Sequence, residues 1–476
     1  MASTSTSTST PTPTPTDPCP SYLIVGAGVF GVSTALHLKT RHGSRADVTL
    51  VDRHPLSGTA AAATPRVAAS WDWNKVVRAD YADPTYCGLA LSAQDAWRAD
   101  PAWRPFYHQT GIYWISARGG DDSGGATLGK GGQGGSFATR VLANFRALGR
   151  HADVDGDDAL RELAVPDART LYGGLFDRAD YAAVGSVLVN ATSGWADAKG
   201  ALASAIDRAV AMGVRYVGAE VEALAFGGEG AQSVVGVSTR SGDRITADRT
   251  VLATGAFTPM LLQRAAEATG RADLGPAGRM VAAGVTTGLT TLDEETARRF
   301  AQMPVCIQEN PPERGASNGS LPPNEQRQLK WWGQRIFKNT QTTPGGARVS
   351  APPPRPDYAQ WEVPEALRAD VQYANKATFG ELGEAWELEQ YRICWDAVTP
   401  SQDFIISPHS AAAGLYIATC GSFHGWKFLP IIGDYVVQML EGTLAPDLAA
   451  KWAWDRELVD VANNKVWPRT ELKDLQ

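Results

Sequence analysis

Hydrophobic positions come first as a short unbroken run, Ser21-Tyr22-Leu23-Ile24-Val25, which predicts a strand buried on both faces. Gly26 to Gly31 follow, then Val32-Ser33-Thr34-Ala35-Leu36-His37-Leu38, where Val32, Ala35 and Leu36 share one face of a helix. A second apolar run, Val48-Thr49-Leu50-Val51, ends on Asp52. Further strands are predicted over Gly111–Ser116, Ser233–Thr239 and Thr250–Ala256. Between the patterned stretches lie a Ser/Thr/Pro run (Ala2 to Pro18) and a Gly-rich stretch (Gly119 to Gly135). Pro311 to Pro323 and Pro344 to Pro356 read as long loops, and residues 1–20 as a disordered tail. No apolar run of about 18 residues occurs, so no membrane partner is expected.

Composition adds three points. Hydrophobic residues make up 43% of the 476, enough for a large core and more than one domain. The net charge of −7 argues against a nucleic-acid partner. The five cysteines, Cys19, Cys87, Cys306, Cys394 and Cys420, show neither a CxxC pair nor a metal-ligand spacing. A reducing, cytoplasmic setting is therefore expected, with no metal.

Strand, G-x-G-x-x-G, helix, strand and acid together form a dinucleotide-binding fingerprint. Gly26 makes the tight turn, Gly28 lets the pyrophosphate approach the backbone, and Gly31 lets helix and strand pack closely. Asp52, 21 residues past Gly31, is placed for a ribose 2′-hydroxyl. The Thr250–Ala256 run, ending Ala253-Thr254-Gly255, resembles the second fingerprint of glutathione-reductase-like FAD proteins, which implies FAD and a nucleotide role for Gly255.

Four further segments resemble the family of FAD-dependent amine oxidases that includes the amadoriases (fructosyl amino acid oxidases), saccharopine oxidases and monomeric sarcosine oxidase. Trp71-Asp72-Trp73-Asn74-Lys75-Val76-Val77-Arg78 matches Asp-x-Asn-Lys-x-x-Arg, and Leu329-Lys330 matches the Leu-Lys of the oxygen-side lysine. Arg392–Pro400 matches the flavin-attachment segment and Gly421–Phe428 matches Gly-x-x-x-Gly-x-Lys-Phe. The resemblance implies FAD joined covalently to Cys394, with Lys75, His424 and Lys427 beside the flavin. It implies that Arg78 and Lys427 bind a substrate carboxylate, and that Lys330, with Lys75 as its water-linked partner, promotes reaction with O2.

The implied chemistry is oxidation of the C–N bond of a secondary amine to an imine, with hydride passing to the flavin and O2 reoxidising it to give H2O2. The sugar-specific members carry an acid four residues after the lysine, where this chain has Gln334. Six of the 15 Trp lie within four residues of Lys75, Lys330, Cys394 or Lys427: Trp71, Trp73, Trp331, Trp332, Trp395 and Trp426. An aromatic-walled substrate site including Trp73, Trp332 and Gln334 is expected. A non-sugar substrate follows: an N-methyl, saccharopine-like or aromatic secondary-metabolite amine, whose imine could close a ring. Fructosyl amino acids, or a dehydrogenase using another acceptor, are the alternatives.

The expected fold is a two-domain α/β flavoprotein. A glutathione-reductase-like FAD (Rossmann) domain, over residues 21–100, 185–257 and 391–476, joins a substrate domain on a mixed β-sheet, over 101–184 and 258–390. The arrangement implied is that of the D-amino-acid and sarcosine oxidases, as a monomer.

Overall fold

The computed structural model describes residues 19–56, 68–117, 136–155, 160–228, 232–310, 315–354, 360–462 and 464–476. The Ser/Thr/Pro run and the Gly119 to Gly135 stretch lie outside them. At the centre of a six-stranded sheet is Tyr22–Val25, all four residues buried. Val48–Asp52 and Arg249–Leu252 flank it in parallel. Arg215–Gly218 and Leu415–Thr419 continue the parallel sheet outward, and antiparallel Ile405–Pro408 closes one edge. This burial on both faces explains why the strands read as unbroken apolar runs.

The helix after the first strand spans Val29–His42 and so starts inside the glycine motif, three residues before the apolar periodicity. Glycine is required there. A Cβ on Gly31 would lie 1.8 Å from the Gly26 carbonyl oxygen, and Gly26 itself sits at φ +102°. The helix packs on Ile432–Glu441, where the Ser33 hydroxyl donates to the Leu429 carbonyl at 2.7 Å.

A ten-stranded mixed sheet forms the second layer. Its key strand, Val281–Thr291, pairs antiparallel with both Gln328–Trp332 and Gln390–Val398. The register sets Leu289 beside Lys330 and Val285 beside Cys394. Val184–Asn190 and Gln390–Val398, which begin two of the stretches expected in the nucleotide domain, hydrogen-bond into this larger sheet. Ile112–Ala117 runs through it as expected. A small antiparallel sheet of Asn74–Val77, Gly194–Asp197 and Tyr107–His108 carries Lys75.

Two expected loops are partly strand. Asn318–Leu321 is fully buried and pairs with Val305–Gln308 and Gln328–Trp332. Its Asn-Gly-Ser-Leu sequence carries no strand signal because Gly319 lies under Trp332: a Cβ there would meet the ring at 2.4 Å. Arg348–Ser350 pairs with Thr340–Thr342. No helix among the described residues is long and apolar enough to cross a membrane.

Candidate active site

Where the two sheets meet lies a cavity of about 1300 Å³. That exceeds the roughly 300–1,000 Å³ of an ordinary small-molecule site, leaving room for a dinucleotide and a substrate together. One end is formed by Gly26, Gly28, Asp52, Ala253 and Gly255. Gly28 caps the Val29–His42 helix without a side-chain hydrogen bond, so the N–H groups of the first turn remain for a ligand. Asp52 is fixed by its own backbone: one carboxylate oxygen accepts from Ala27 N–H at 2.8 Å, the other from His54 N–H at 3.0 Å. Each oxygen keeps a lone pair for a ribose hydroxyl. Further along, Trp395 Nε1, Thr419 Oγ1 and Asn74 Oδ1 are buried polar atoms without a partner in residues that line the cavity. A flavin nucleotide, with a pyrophosphate for the helix end and polar ring edges for such atoms, fits this wall.

The other end holds most of the expected site residues: Lys75, Arg78, Lys330, Trp332, Cys394, His424 and Lys427 all line it. They form two electrostatic groups. In the first, Asp72, its side chain 0% exposed, binds three cations. Oδ2 receives Lys75 Nζ at 2.6 Å and Lys330 Nζ at 2.7 Å, and Arg392 approaches Oδ1 at 3.6 Å. Lys330 Nζ also donates to the Asn74 carbonyl at 3.0 Å. Burial opposes ionisation of Asp72, but Lys330, Lys75 and Arg392 outweigh it and hold the carboxyl far below the usual range. Lys330 is lowered to about 8, chiefly by burial and against the pull of Asp72. Burial works against the Lys75 ammonium as well, yet Asp72 and Cys394 raise it. Cys394 is a buried, free thiol, its Sγ 3.9 Å from both Lys75 Nζ and Asp72 Oδ2.

The second group is cationic and ringed by aromatic side chains. The Arg78 guanidinium lies over Tyr81 and Trp114, each ring centroid 4.6 Å away, and donates to the Asp80 carbonyl. Lys427 Nζ hydrogen-bonds with Tyr81 Oη at 2.7 Å and donates to the His424 carbonyl at 2.6 Å. Tyr81 Oη lies 3.2 Å from His424 Nδ1, and His424 Nε2 lies 2.9 Å from the Gln402 carbonyl. Burial, with the charged form of Lys427 adding to it, pushes the His424 imidazole well below its ordinary value. His424 stacks on Phe404 at 5.0 Å, which fixes the ring plane.

Not every expected residue lines the cavity. Gln334 follows the Gln328–Trp332 strand and hydrogen-bonds towards Asp370, outside the lining. Trp73 also stands outside the lining, its ring 5.6 Å from Lys330 Nζ. Of the six clustered Trp, Trp332, Trp395 and Trp426 line the cavity. Trp331 points the other way, into a core with Phe379 and Trp386, because side chains alternate along a strand and Lys330 and Trp332 take the inner face. Trp71 meets Lys199. Trp114 completes the wall although it lies far from any motif. Asp72, Arg392 and Tyr81 were absent from the expected site. Asp72 and Arg392 stood inside recognised motifs, Asp72 as an acid among tryptophans and Arg392 two residues before Cys394; Tyr81 gave no signal. Among the described residues no cluster of His, Cys, Asp or Glu could hold a metal ion.

Known proteins resemble the chain along nearly its whole length. The chain is 25% identical to the L-saccharopine oxidase of Schizosaccharomyces pombe, over 94% of this chain and 95% of that one. It is 28% identical to the amino acid oxidase imqH of Aspergillus flavus, over 89% and 93%. Among solved structures it resembles the deglycating fructosamine oxidase (Amadoriase II) of Aspergillus fumigatus, at 25% identity, a TM-score of 0.71 and 97% coverage of both chains. The family model for FAD-dependent oxidoreductases (DAO) matches residues 21–439. The chain therefore belongs to the DAO family of FAD-dependent oxidoreductases, enzymes with a Rossmann domain and a substrate domain.

Proposed function

We propose that the protein oxidises the C–N bond of a secondary amine that carries a carboxylate, with O2 as electron acceptor. The observation that carries this reading is the pair of buried basic side chains, Arg78 and Lys427, at one end of an aromatic-walled cavity whose other end suits a dinucleotide. FAD, when bound, supplies the hydride acceptor for the C–N bond and the electrons that reach O2. The protein supplies position and charge. The Arg78 fork receives a carboxylate bidentately and Lys427 adds a second cation. That charge favours the neutral form of the neighbouring amine. Trp114, Trp332 and Trp426 exclude water and give the substrate an apolar surround. Lys330 and Lys75 hold positive charge where O2 takes up electrons.

The aromatic wall of Trp114, Trp332 and Trp426 supports a non-sugar substrate such as an N-methyl or saccharopine-like amino acid, or an aromatic amine whose imine closes a ring. The likeness to a fructosamine oxidase favours a second reading, a fructosyl amino acid. H2O2 release measured across N-methyl-tyrosine, saccharopine, sarcosine and fructosyl-valine separates the two. The first reading predicts turnover of one of the first three; clear preference for fructosyl-valine overturns it.

The proposal includes a thioether between Cys394 and the flavin, supported by a reduced thiol on the cavity wall between Lys75 and Asp72. Acid-precipitated wild-type protein should stay yellow, and C394A should give a colourless pellet. A yellow C394A pellet would exclude this attachment. The protein is further proposed to act in the cytoplasm, supported by the scattered free cysteines, and as a monomer, as the family resemblance implies.

A further inference from the structure

We infer that Lys427 rests as a neutral amine and takes the proton that a zwitterionic substrate must lose, becoming by that transfer the cation that holds the substrate's carboxylate. The inference rests on the reading of the substrate as an amine carrying a carboxylate. It answers a conflict in that reading: hydride can leave only next to a neutral nitrogen, while most amino acids arrive as ammonium carboxylates.

The surroundings of Lys427 are unusual for a buried ammonium. The residue is 4% exposed. Among the described residues no carboxylate lies within 4.0 Å of its Nζ, and its two hydrogen-bond partners, Tyr81 Oη and the His424 carbonyl, are neutral. The Arg78 cation shares the Tyr81 ring with it, at 4.6 Å against 5.1 Å for Lys427. A buried charge without a counter-ion is costly, and the usual relief is loss of the proton.

The hydrogen bonds accommodate both forms. A neutral Nζ has one lone pair and donates to the His424 carbonyl while accepting the Tyr81 hydroxyl proton at 2.7 Å. A protonated Nζ can only donate, so the Tyr81 hydroxyl must turn away. A second acceptor, His424 Nδ1, waits 3.2 Å from the same oxygen. Its partner nitrogen, Nε2, donates to the Gln402 carbonyl at 2.9 Å, which leaves Nδ1 unprotonated and able to accept. Tyr81 thus switches its proton between two acceptors as Lys427 changes charge, without movement of any heavy atom.

The titratable and charged groups facing this site are Arg78, Asp80, Tyr81 and His424, with Tyr86 packed behind His424 and Asp83, Cys87 and Lys451 acting from farther off on Tyr81 and His424. Burial first, then Arg78, pull the Lys427 ammonium well below its ordinary value, and Asp80 opposes them. The proton transfer balances simply. The N–H bond of the substrate ammonium breaks, its electron pair stays on the substrate nitrogen, and a new N–H bond forms on Nζ. No charge enters or leaves the site beyond that of the zwitterion.

Benzoate, which has a carboxylate but no proton to give and no C–N bond to oxidise, tests this on the holoenzyme. Calorimetric titration at pH 7.5 in two buffers of different ionisation enthalpy should show uptake of about one proton per benzoate bound, and little or none in K427M. Binding without proton uptake overturns the inference and leaves the oxidase reading intact. A second measurement needs no ligand. A base whose folded-state pKa is depressed destabilises most at low pH, and the penalty fades as pH rises towards its unfolded value. The melting temperature of K427M should therefore exceed that of wild type by a margin that shrinks from pH 6 to pH 10; a margin constant over that range also overturns it. Loss of H2O2 formation with all amines, with both titrations as expected, would instead overturn the function and spare the proton acceptor.

Discussion

K330M is expected to slow reoxidation of the reduced enzyme by O2 by about a thousandfold, with little effect on the rate at which substrate bleaches the flavin. The first electron given to O2 creates an anion. A cation about 4 Å away stabilises it by roughly 4 kcal/mol at an effective dielectric constant near 20, or close to three factors of ten in rate. Asp72 does not cancel this field, because Lys75, Lys330 and Arg392 set three positive charges against one negative. The Lys330 ammonium is lowered to about 8, chiefly by burial, so its charge is lost as pH rises through that value. The wild-type rate with O2 should fall above pH 8, and K330M should be flat across the same range. Stopped-flow mixing of reduced enzyme with oxygenated buffer measures both. An unchanged rate in K330M would favour a dehydrogenase with another acceptor.

D72N is expected to be the most damaging single change to stability, by about 3–5 kcal/mol, because it leaves buried cations without their counter-charge. Substituting Asn keeps the volume and removes only the charge. The two lysines can shed protons to limit the cost, whereas Arg392 cannot. Loss of Asp72 lowers the folded-state value of Lys330 further below its unfolded value and removes the main pull that raises Lys75. Stability of the variant should then rise more steeply with pH than that of wild type, and the gap should narrow from pH 7 to pH 9. Urea denaturation of both proteins at those pH values measures it. A gap below about 1 kcal/mol would show that the cluster is not held by this carboxylate.

These residues also show what a sequence can and cannot disclose. The nucleotide end was legible because each of its parts is local: two apolar strands, three glycines and an acid at fixed spacing, where Gly31 alone avoids a contact of 1.8 Å. Lys75, Lys330, Cys394 and Lys427 were legible as motif positions, but not as neighbours. Strand register sets their distances, with Val281–Thr291 carrying Lys330 on one side and Cys394 on the other. Trp331 and Trp332 were indistinguishable in sequence; the alternation of a strand, whose phase is fixed only in the sheet, sends one to the core and the other to the site. Asn318–Leu321 was hidden because its strand is made of small and polar residues chosen to fit under Trp332. Arg392 and Tyr81 could not be assigned roles, since nothing local shows that Arg392 meets Asp72 or that Tyr81 meets Lys427, each more than three hundred positions away.

Anaerobic mixing of the oxidised enzyme with N-methyl-tyrosine, and separately with N-methyl-tyramine, which lacks only the carboxylate, tests the central claim most directly. Carboxylate-anchored amine oxidation predicts that the first bleaches the yellow flavin spectrum and the second does so at least a hundredfold more slowly, in line with the roughly 1.5–3 kcal/mol of a charged hydrogen bond at each of two cations. Equal bleaching by both would contradict it.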